Sequence, residues 1–294
     1  MIMMKSSDLL QTGADRTAGF RWVYADVTDS ARDLARSHLC GPASELALAE
    51  ALAAVALLGA DLEQPEETVT LQMKTDGPIG SVLVEAAFDG ALRGFPAKKI
   101  LADFDGEAEP DIQAVYGNNS EVRIIRSVPG AIIGQSGFEL SRPRPVEAIS
   151  KYYNLALQRH GVAAVVAVPG GDGIDRARAF FLECMPDGDK EAFATAAALL
   201  GGEGFSETLD AAHGALSLCE ELGMKNVVMD DPRPLRFGCR CSRERAYETL
   251  RALSPEELAA MANSGRDTDI FCHMCGKCYS FKPEELRRIG GAGA

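Results

Sequence analysis

The chain has 294 residues, of which 46% are apolar, 25% charged and 6% aromatic. That balance suits a folded globular protein of one large or two moderate domains and excludes a wholly disordered chain. The net charge of −13 is uneven: residues 232–294 carry +3 and residues 1–231 carry −16, so most of the surface repels nucleic acid and anionic membrane.

The opening MIMMKSSDLLQTGADR contains no apolar run of signal-peptide length. Helices are expected over Ser30–His38 and Ser44–Leu58. The second belongs to the most apolar stretch, ELALAEALAAVALLGADL, which Glu45, Glu50 and Asp61 interrupt. A bilayer span needs about 20 largely apolar residues, so this segment reads as a buried core helix. The expected location is cytoplasmic, where thiols stay reduced and a disulfide framework is not expected.

Three β-rich runs follow in TVTLQMKTDGPIGSVLVEAAFDGALRGF, separated by Asp76-Gly77-Pro78 and Asp89-Gly90. Asp-Gly between such runs is a hairpin signal, so Val69–Phe95 is expected to form an antiparallel meander. SEVRIIRSV and GVAAVVAVPGG read as further strands, with a helix around Pro145–Arg159 between them. Strands and helices without strict alternation indicate an α+β class. From Pro186 the chain turns Ala- and Leu-rich but is broken by Gly201, Gly202 and Gly204. Short helices of this kind depend on packing for their stability. The expected division is therefore an α+β core over 1–185, a metastable helical linker over 186–231 and a cysteine module over 232–294.

Five of the eight cysteines lie between Gly238 and Phe281. Cys239 and Cys241 form a C-x-C pair, Cys272 and Cys275 a C-x-x-C pair, and Cys278 adds a second C-x-x-C in overlapping register. Two short-spaced thiol pairs separated by enough chain for a helix match a tetrathiolate zinc site, with one zinc ion per chain. Ser254, followed three residues later by Glu257, marks the start of that intervening helix. A module of this size has few large apolar residues to bury, which favours a metal over a purely hydrophobic role for its thiols. His273, inside the C-x-x-C, reads as an exposed loop residue. Cys40, Cys184 and Cys219 stand alone on apolar or helical segments and read as structural. No phosphate loop, dinucleotide fingerprint, zinc-protease motif or nucleophile elbow occurs, so no enzyme activity is expected.

FGCRCSRER, the spacing that follows it and CGKCYSF closely resemble the redox-regulated heat-shock protein 33 family of ATP-independent holdase chaperones. VTLQMKTDGPIGSVLVEAAFDGALRGF is similar to that family's core sheet. ISKYYNLALQRH falls where the family carries a Tyr-Phe…Ser-Glu-Gln pattern, with Ala156 and Leu157 here in place of Ser-Glu. The resemblance implies that Cys239, Cys241, Cys272 and Cys275 are the zinc ligands and redox thiols, with disulfides Cys239–Cys241 and Cys272–Cys275 in the oxidised form. It also implies unfolded or misfolded client proteins as partners, no nucleic acid or membrane, and a homodimer when oxidised. Cys278 lies outside that set of four and offers a rival pairing. Two other readings rest on the same cysteines. A zinc ribbon that binds nucleic acid or protein would draw on the arginines around Cys239–Arg245, against the −16 body. A thiol oxidoreductase would normally carry its C-x-x-C near an N-terminal β-α-β unit.

Overall fold

The structure is a computed structural model that describes residues 7–107, 109–202 and 204–291. The chain separates into two compact units, divided between Gly238 and Cys239.

The first unit is built on two six-stranded sheets. In one, β1 (Leu9–Asp15), β2 (Phe20–Asp26), β9 (Gly173–Cys184) and β8 (Gly161–Gly170) run side by side. The short β10 (Val227–Met229) and β11 (Arg233–Pro234) both pair with β1. In the other sheet, β12 (Arg236–Phe237), β5 (Ala91–Pro96), β4 (Ser81–Ala87), β3 (Thr68–Thr75), β6 (Asn119–Val128) and β7 (Ala131–Ser141) follow in that spatial order. The expected meander is β3-β4-β5, antiparallel throughout, with Leu71 opposite Val84 and Leu83 opposite Phe95. The α+β class expected from the sequence is the one observed.

Helix α1 (Thr28–His38) precedes α2 (Pro42–Leu58), which packs against β8 and β9 of one sheet and against β4 and β5 of the other. Its residues are apolar on every side, so no orientation leaves a polar face for water, and burial all round is the only stable placement. Fifteen of its 17 residues are buried. By length and composition Pro42–Asp61 could cross a membrane, but here it is a core helix. Its one buried carboxylate, Glu50, is held by the Arg144 guanidinium, whose Nε donates at 3.2 Å. Burial raises the Glu50 carboxyl above its ordinary range, and Arg144 opposes that shift.

The outer face of the β1–β2–β9–β8 sheet is aromatic. Alternation along β2 and β9 sends Val23, Ala25 and Phe181 towards α2 and sends Phe20, Trp22, Tyr24 and Phe180 to the opposite side. There they are covered by α5 (Lys190–Leu200), α6 (Phe205–Ala211) and α7 (Ala215–Glu221) through Leu200, Phe205, Leu209 and Leu218. Helix α5 buries only Ala196 and Leu200, while Leu199 is half exposed. Two short helices complete this unit, α3 (Ile112–Tyr116) and α4 (Pro145–Lys151). The single helix expected over Pro145–Arg159 is shorter: α4 passes into a π-turn over Tyr152–Ala156, and Gln158 closes it with φ of 54°.

Removing Arg144 leaves Glu50 buried without its counter-charge, and such losses cost about 3–5 kcal/mol when both groups are dry. Arg144 is about a third exposed (31%), so Arg144→Ala is expected to cost about 2–3 kcal/mol in urea unfolding. Adding Glu50→Gln should recover part of that loss. A double variant no more stable than Arg144→Ala would show that lost packing rather than the unpaired charge is responsible.

Candidate metal centre

The second unit has little with which to hold itself together. Its elements are α8 (Arg243–Arg251), α9 (Pro255–Asn263), the hairpin β13 (Thr268–Phe271) and β14 (Cys278–Phe281), and α10 (Pro283–Gly291). Eight buried residues make its core, with Phe281 and Leu286 fully enclosed. Local hydrogen bonds set the helix ends. Ser242 accepts from Arg245 N at the start of α8, and Ser254 with Glu257 forms the reciprocal capping box expected from the sequence. The Arg243 guanidinium stacks 4.3 Å from the Phe281 ring and donates to Ser280 O and to Glu285. That contact ties α8 to β14 and α10.

The cysteines sit beside this small core. Cys239 and Cys241 lie on the extended stretch before α8. Cys272 and Cys275 lie in the turn between β13 and β14, where Gly276 N donates to Cys272 O at 2.8 Å and Cys272 N to Lys277 O at 2.9 Å. Gly276 has φ of 71°, a left-handed conformation that glycine adopts without strain, and this lets the turn fold back on its sulfurs. The Sγ atoms of Cys239, Cys241, Cys272 and Cys275 all lie within 4.8 Å of one another. Cys239 and Cys272 are 3.8 Å apart, and Cys241 and Cys275 are 3.4 Å apart. A disulfide bond is about 2.05 Å, so none is formed.

This donor set fits zinc. A zinc–sulfur bond of about 2.3 Å in a regular tetrahedron places the sulfurs about 3.8 Å apart, close to the separations found here. The electrostatics favour a cation equally. Burial raises the thiol of Cys275 well above the usual range, and burial raises that of Cys272 also, with Cys239 adding to the shift. Four thiols gathered this closely resist ionising together unless a positive charge sits among them. The four positions that the sequence singles out are the four that the fold brings together.

Cys278 behaves differently. Strand alternation along β14 turns Tyr279 inward and Cys278 outward, so Cys278 is exposed and lies outside the cluster. His273 is exposed, as the sequence suggests. Cys184 and Cys219 are buried and Cys40 is half-buried, and burial pushes the Cys40 and Cys219 thiols up to about 12.

Sequence reading alone missed Tyr279. Its hydroxyl donates to Cys241 Sγ at 3.2 Å, and that bond, ahead of burial, raises its own pKa. The alternation Cys278-Tyr279-Ser280-Phe281 next to the C-x-x-C was the available signal, since it places an aromatic on the cluster side.

A two-sheet α+β unit followed by a small unit gathered around four cysteines defines a two-part protein with a thiol cluster at its C-terminal end. The chain belongs to the Hsp33 family, a family of chaperones, whose model matches residues 8–282 under the description "Hsp33 protein". Among curated proteins it is similar to the 33 kDa chaperonin of Symbiobacterium thermophilum, 29% identical over 289 residues and covering 92% of each chain. It is also similar to the 33 kDa chaperonin of Thermus thermophilus, 28% identical over 285 residues, with 92% of this chain and 82% of that protein covered. The crystal structure of the Hsp33 homologue of Thermotoga maritima shares the fold, with a TM-score of 0.88 at 19% identity over 98% of this chain and 99% of that one.

Replacing any one of the four clustered cysteines by serine is expected to abolish stoichiometric zinc in the reduced protein, whereas Cys278→Ser should retain it. Zinc lost with Cys278→Ser but kept with Cys272→Ser would move the site to the other register. Outer hydrogen bonds to metal ligands typically contribute 10- to 100-fold in affinity. Tyr279→Phe should therefore weaken zinc retention about tenfold in chelator competition.

Proposed function

We propose that the protein is a redox-regulated, ATP-independent holdase of the cytoplasm, with Cys239, Cys241, Cys272 and Cys275 as zinc ligands and switch thiols. The observation that carries this reading is the convergence of four sulfurs within 4.8 Å in a unit whose own core is eight buried residues. Bound zinc would keep the sulfurs as thiolates and supply about 10–16 kcal/mol of apparent folding energy, more than so small a core provides.

Thiolates are the form that oxidants attack. In the proposed switch a peroxide accepts two electrons from each pair, Cys239 with Cys241 and Cys272 with Cys275. Each pair consumes one hydrogen peroxide and two protons, becoming a disulfide as the peroxide becomes two waters, and the ion that the pair would hold is released. Sulfurs joined to each other no longer serve as anionic ligands, so the unit loses the energy that folds it.

The same reading assigns a role to α5, α6 and α7 as the metastable linker. They are short, separated by glycines, and rest on the aromatic face of Phe20, Trp22, Tyr24 and Phe180. The chain then runs through β11 and β12 directly into Cys239. In this reading the strap is released when the second unit unfolds, and its release uncovers the aromatic face for unfolded clients. Oxidised chains would pair as homodimers.

Aggregation of an unfolding client should be suppressed by peroxide-oxidised protein and not by reduced, zinc-loaded protein. Hydrogen exchange of the oxidised form should quicken from Cys239 onward while Val69–Phe95 keeps its protection. Equal suppression by both forms, or uniform loss of protection, would defeat the switch. A proline within a helix costs about 3 kcal/mol. Ala196→Pro in α5 should therefore make suppression partly independent of oxidation; an inactive, folded, reduced variant would place the client surface elsewhere.

A further inference from the structure

A cavity of about 350 Å³ opens beside the C-terminal end of α2. Small-molecule sites commonly enclose about 300–1,000 Å³ and combine apolar walls with a few convergent polar groups. Here Leu58, Val69 and Leu157 supply apolar wall, and Arg21, Arg126 and Tyr152 line the same space. Leu157 N donates to Tyr152 O at 3.1 Å across the π-turn, which ties these two lining residues together.

Three guanidiniums and three carboxylates pair around this cavity, so their charges balance, but their hydrogen-bonding capacity does not. Every carboxylate oxygen already accepts. Asp61 takes Arg21 on one oxygen, and Arg159 with the Tyr153 hydroxyl on the other. Glu67 takes Arg126 on one oxygen and the backbone N–H groups of Glu63 and Gln64 on the other. Glu183 takes Arg159 on both oxygens, and Arg21 shares the second.

Donors, by contrast, are left over. Arg126 spends Nε and Nη2 on Glu67 and on the Asp61 carbonyl, and Arg21 spends its two Nη atoms. Arg126 Nη1 and Arg21 Nε therefore make no hydrogen bond among the described residues. Tyr152 is only 7% exposed, and its hydroxyl also has no partner among the described residues. Buried polar groups are normally paired, so a hydroxyl of this kind marks a place for a ligand atom. Burial raises the Tyr152 phenol above its ordinary range, which keeps it a donor at neutral pH. The charges that act on it belong to Arg126, Asp61 and Arg159, which all line the cavity.

Spare donors require an acceptor, and a guanidinium with a hydroxyl suits a carboxylate. The apolar wall favours an organic body over a bare inorganic ion. We propose that this cavity binds a small organic acid, its carboxylate held by Arg126 and Tyr152 and its apolar body against Leu58, Val69 and Leu157. Arg21 adds positive charge beside the carboxylate. Glu63 also lines the cavity; it is exposed, has no ion-pair partner among the described residues, and opposes the anion. All of these residues belong to the first unit, so the site depends neither on the four sulfurs nor on the holdase reading.

The probe is phenylpropionate, with its neutral amide as the control, titrated by calorimetry into full-length, reduced, zinc-loaded protein. Phenylpropionate should bind saturably, one per chain, and about tenfold more tightly than the amide, because hydrogen bonds to a charged group are about twice as strong as neutral ones. Tyr152→Phe should weaken its binding about tenfold and leave urea unfolding unchanged, since that hydroxyl holds nothing within the chain. Glu63→Gln, at an exposed position, should tighten phenylpropionate about two- to fivefold and leave the amide unchanged. Absence of saturable binding at millimolar phenylpropionate overturns the proposal, as does equal affinity for acid and amide. Binding that ignores both substitutions places the ligand elsewhere and overturns it too. Looser binding in Glu63→Gln would mean that the cavity favours cations, again against the proposal. Displacement by an equal concentration of inorganic phosphate overturns it in favour of a simple anion site.

Discussion

Four sulfurs drawn within 4.8 Å of one another impose the constraint on which the C-terminal unit depends. As neutral thiols they are small, weakly polar groups beside a core of eight buried residues; as thiolates they repel one another. A divalent cation resolves the repulsion and adds binding energy to folding energy. The hydrogen bond from Tyr279, the left-handed turn at Gly276 and the Arg243–Phe281 stack serve the same end, because each fixes a segment that carries a sulfur. A unit of this kind is as stable as the state of its thiols allows, which is the physical basis for reading it as a switch.

The first unit has no such dependence. Its core runs from α2 into both sheets and includes large side chains with no exposed surface, among them Tyr116, Tyr153 and Phe181. What it offers instead is a layered arrangement. One face of the β1–β2–β9–β8 sheet is sealed by α2, and the other is covered by short helices, of which α5 buries only two residues. In the proposed switch the side of this sheet that faces α2 stays folded and the helices on its other side are released.

Around Ala156 and Leu157 the charges balance within a local network. Arg159 donates to Asp61 at 2.8 Å and to Glu183, Arg21 joins the same two carboxylates, and the Tyr153 hydroxyl donates to Asp61. Two guanidiniums against two carboxylates close the charge balance without a polar side chain at 156 or 157. Leu157 instead borders a cavity of about 350 Å³ with Arg21, Arg126 and Arg159. The π-turn and the positive φ at Gln158 bring Arg159 into that network at the end of the helix.

The sequence by itself determined the α+β class, the β3-β4-β5 meander, the burial of α2 and the capped start of α9. Each follows from a local pattern: Asp-Gly between β-rich runs, an apolar surface on all sides, or Ser254 three residues before Glu257. It also singled out the four cysteines, because short-spaced thiol pairs are already near neighbours along the chain. Tertiary structure decided what local pattern does not encode. The alternation of a two-stranded hairpin sent Cys278 outward and Tyr279 inward, a choice set by which face of β14 packs on Phe281's neighbours in the core. The pairing of Glu50 with Arg144, 94 residues apart, and the gathering of Asp61, Arg159, Arg21 and Glu183 depend on contacts between distant segments. That β7 is the last strand of its sheet among the described residues follows from strand order, a property of the whole unit rather than of any stretch within it.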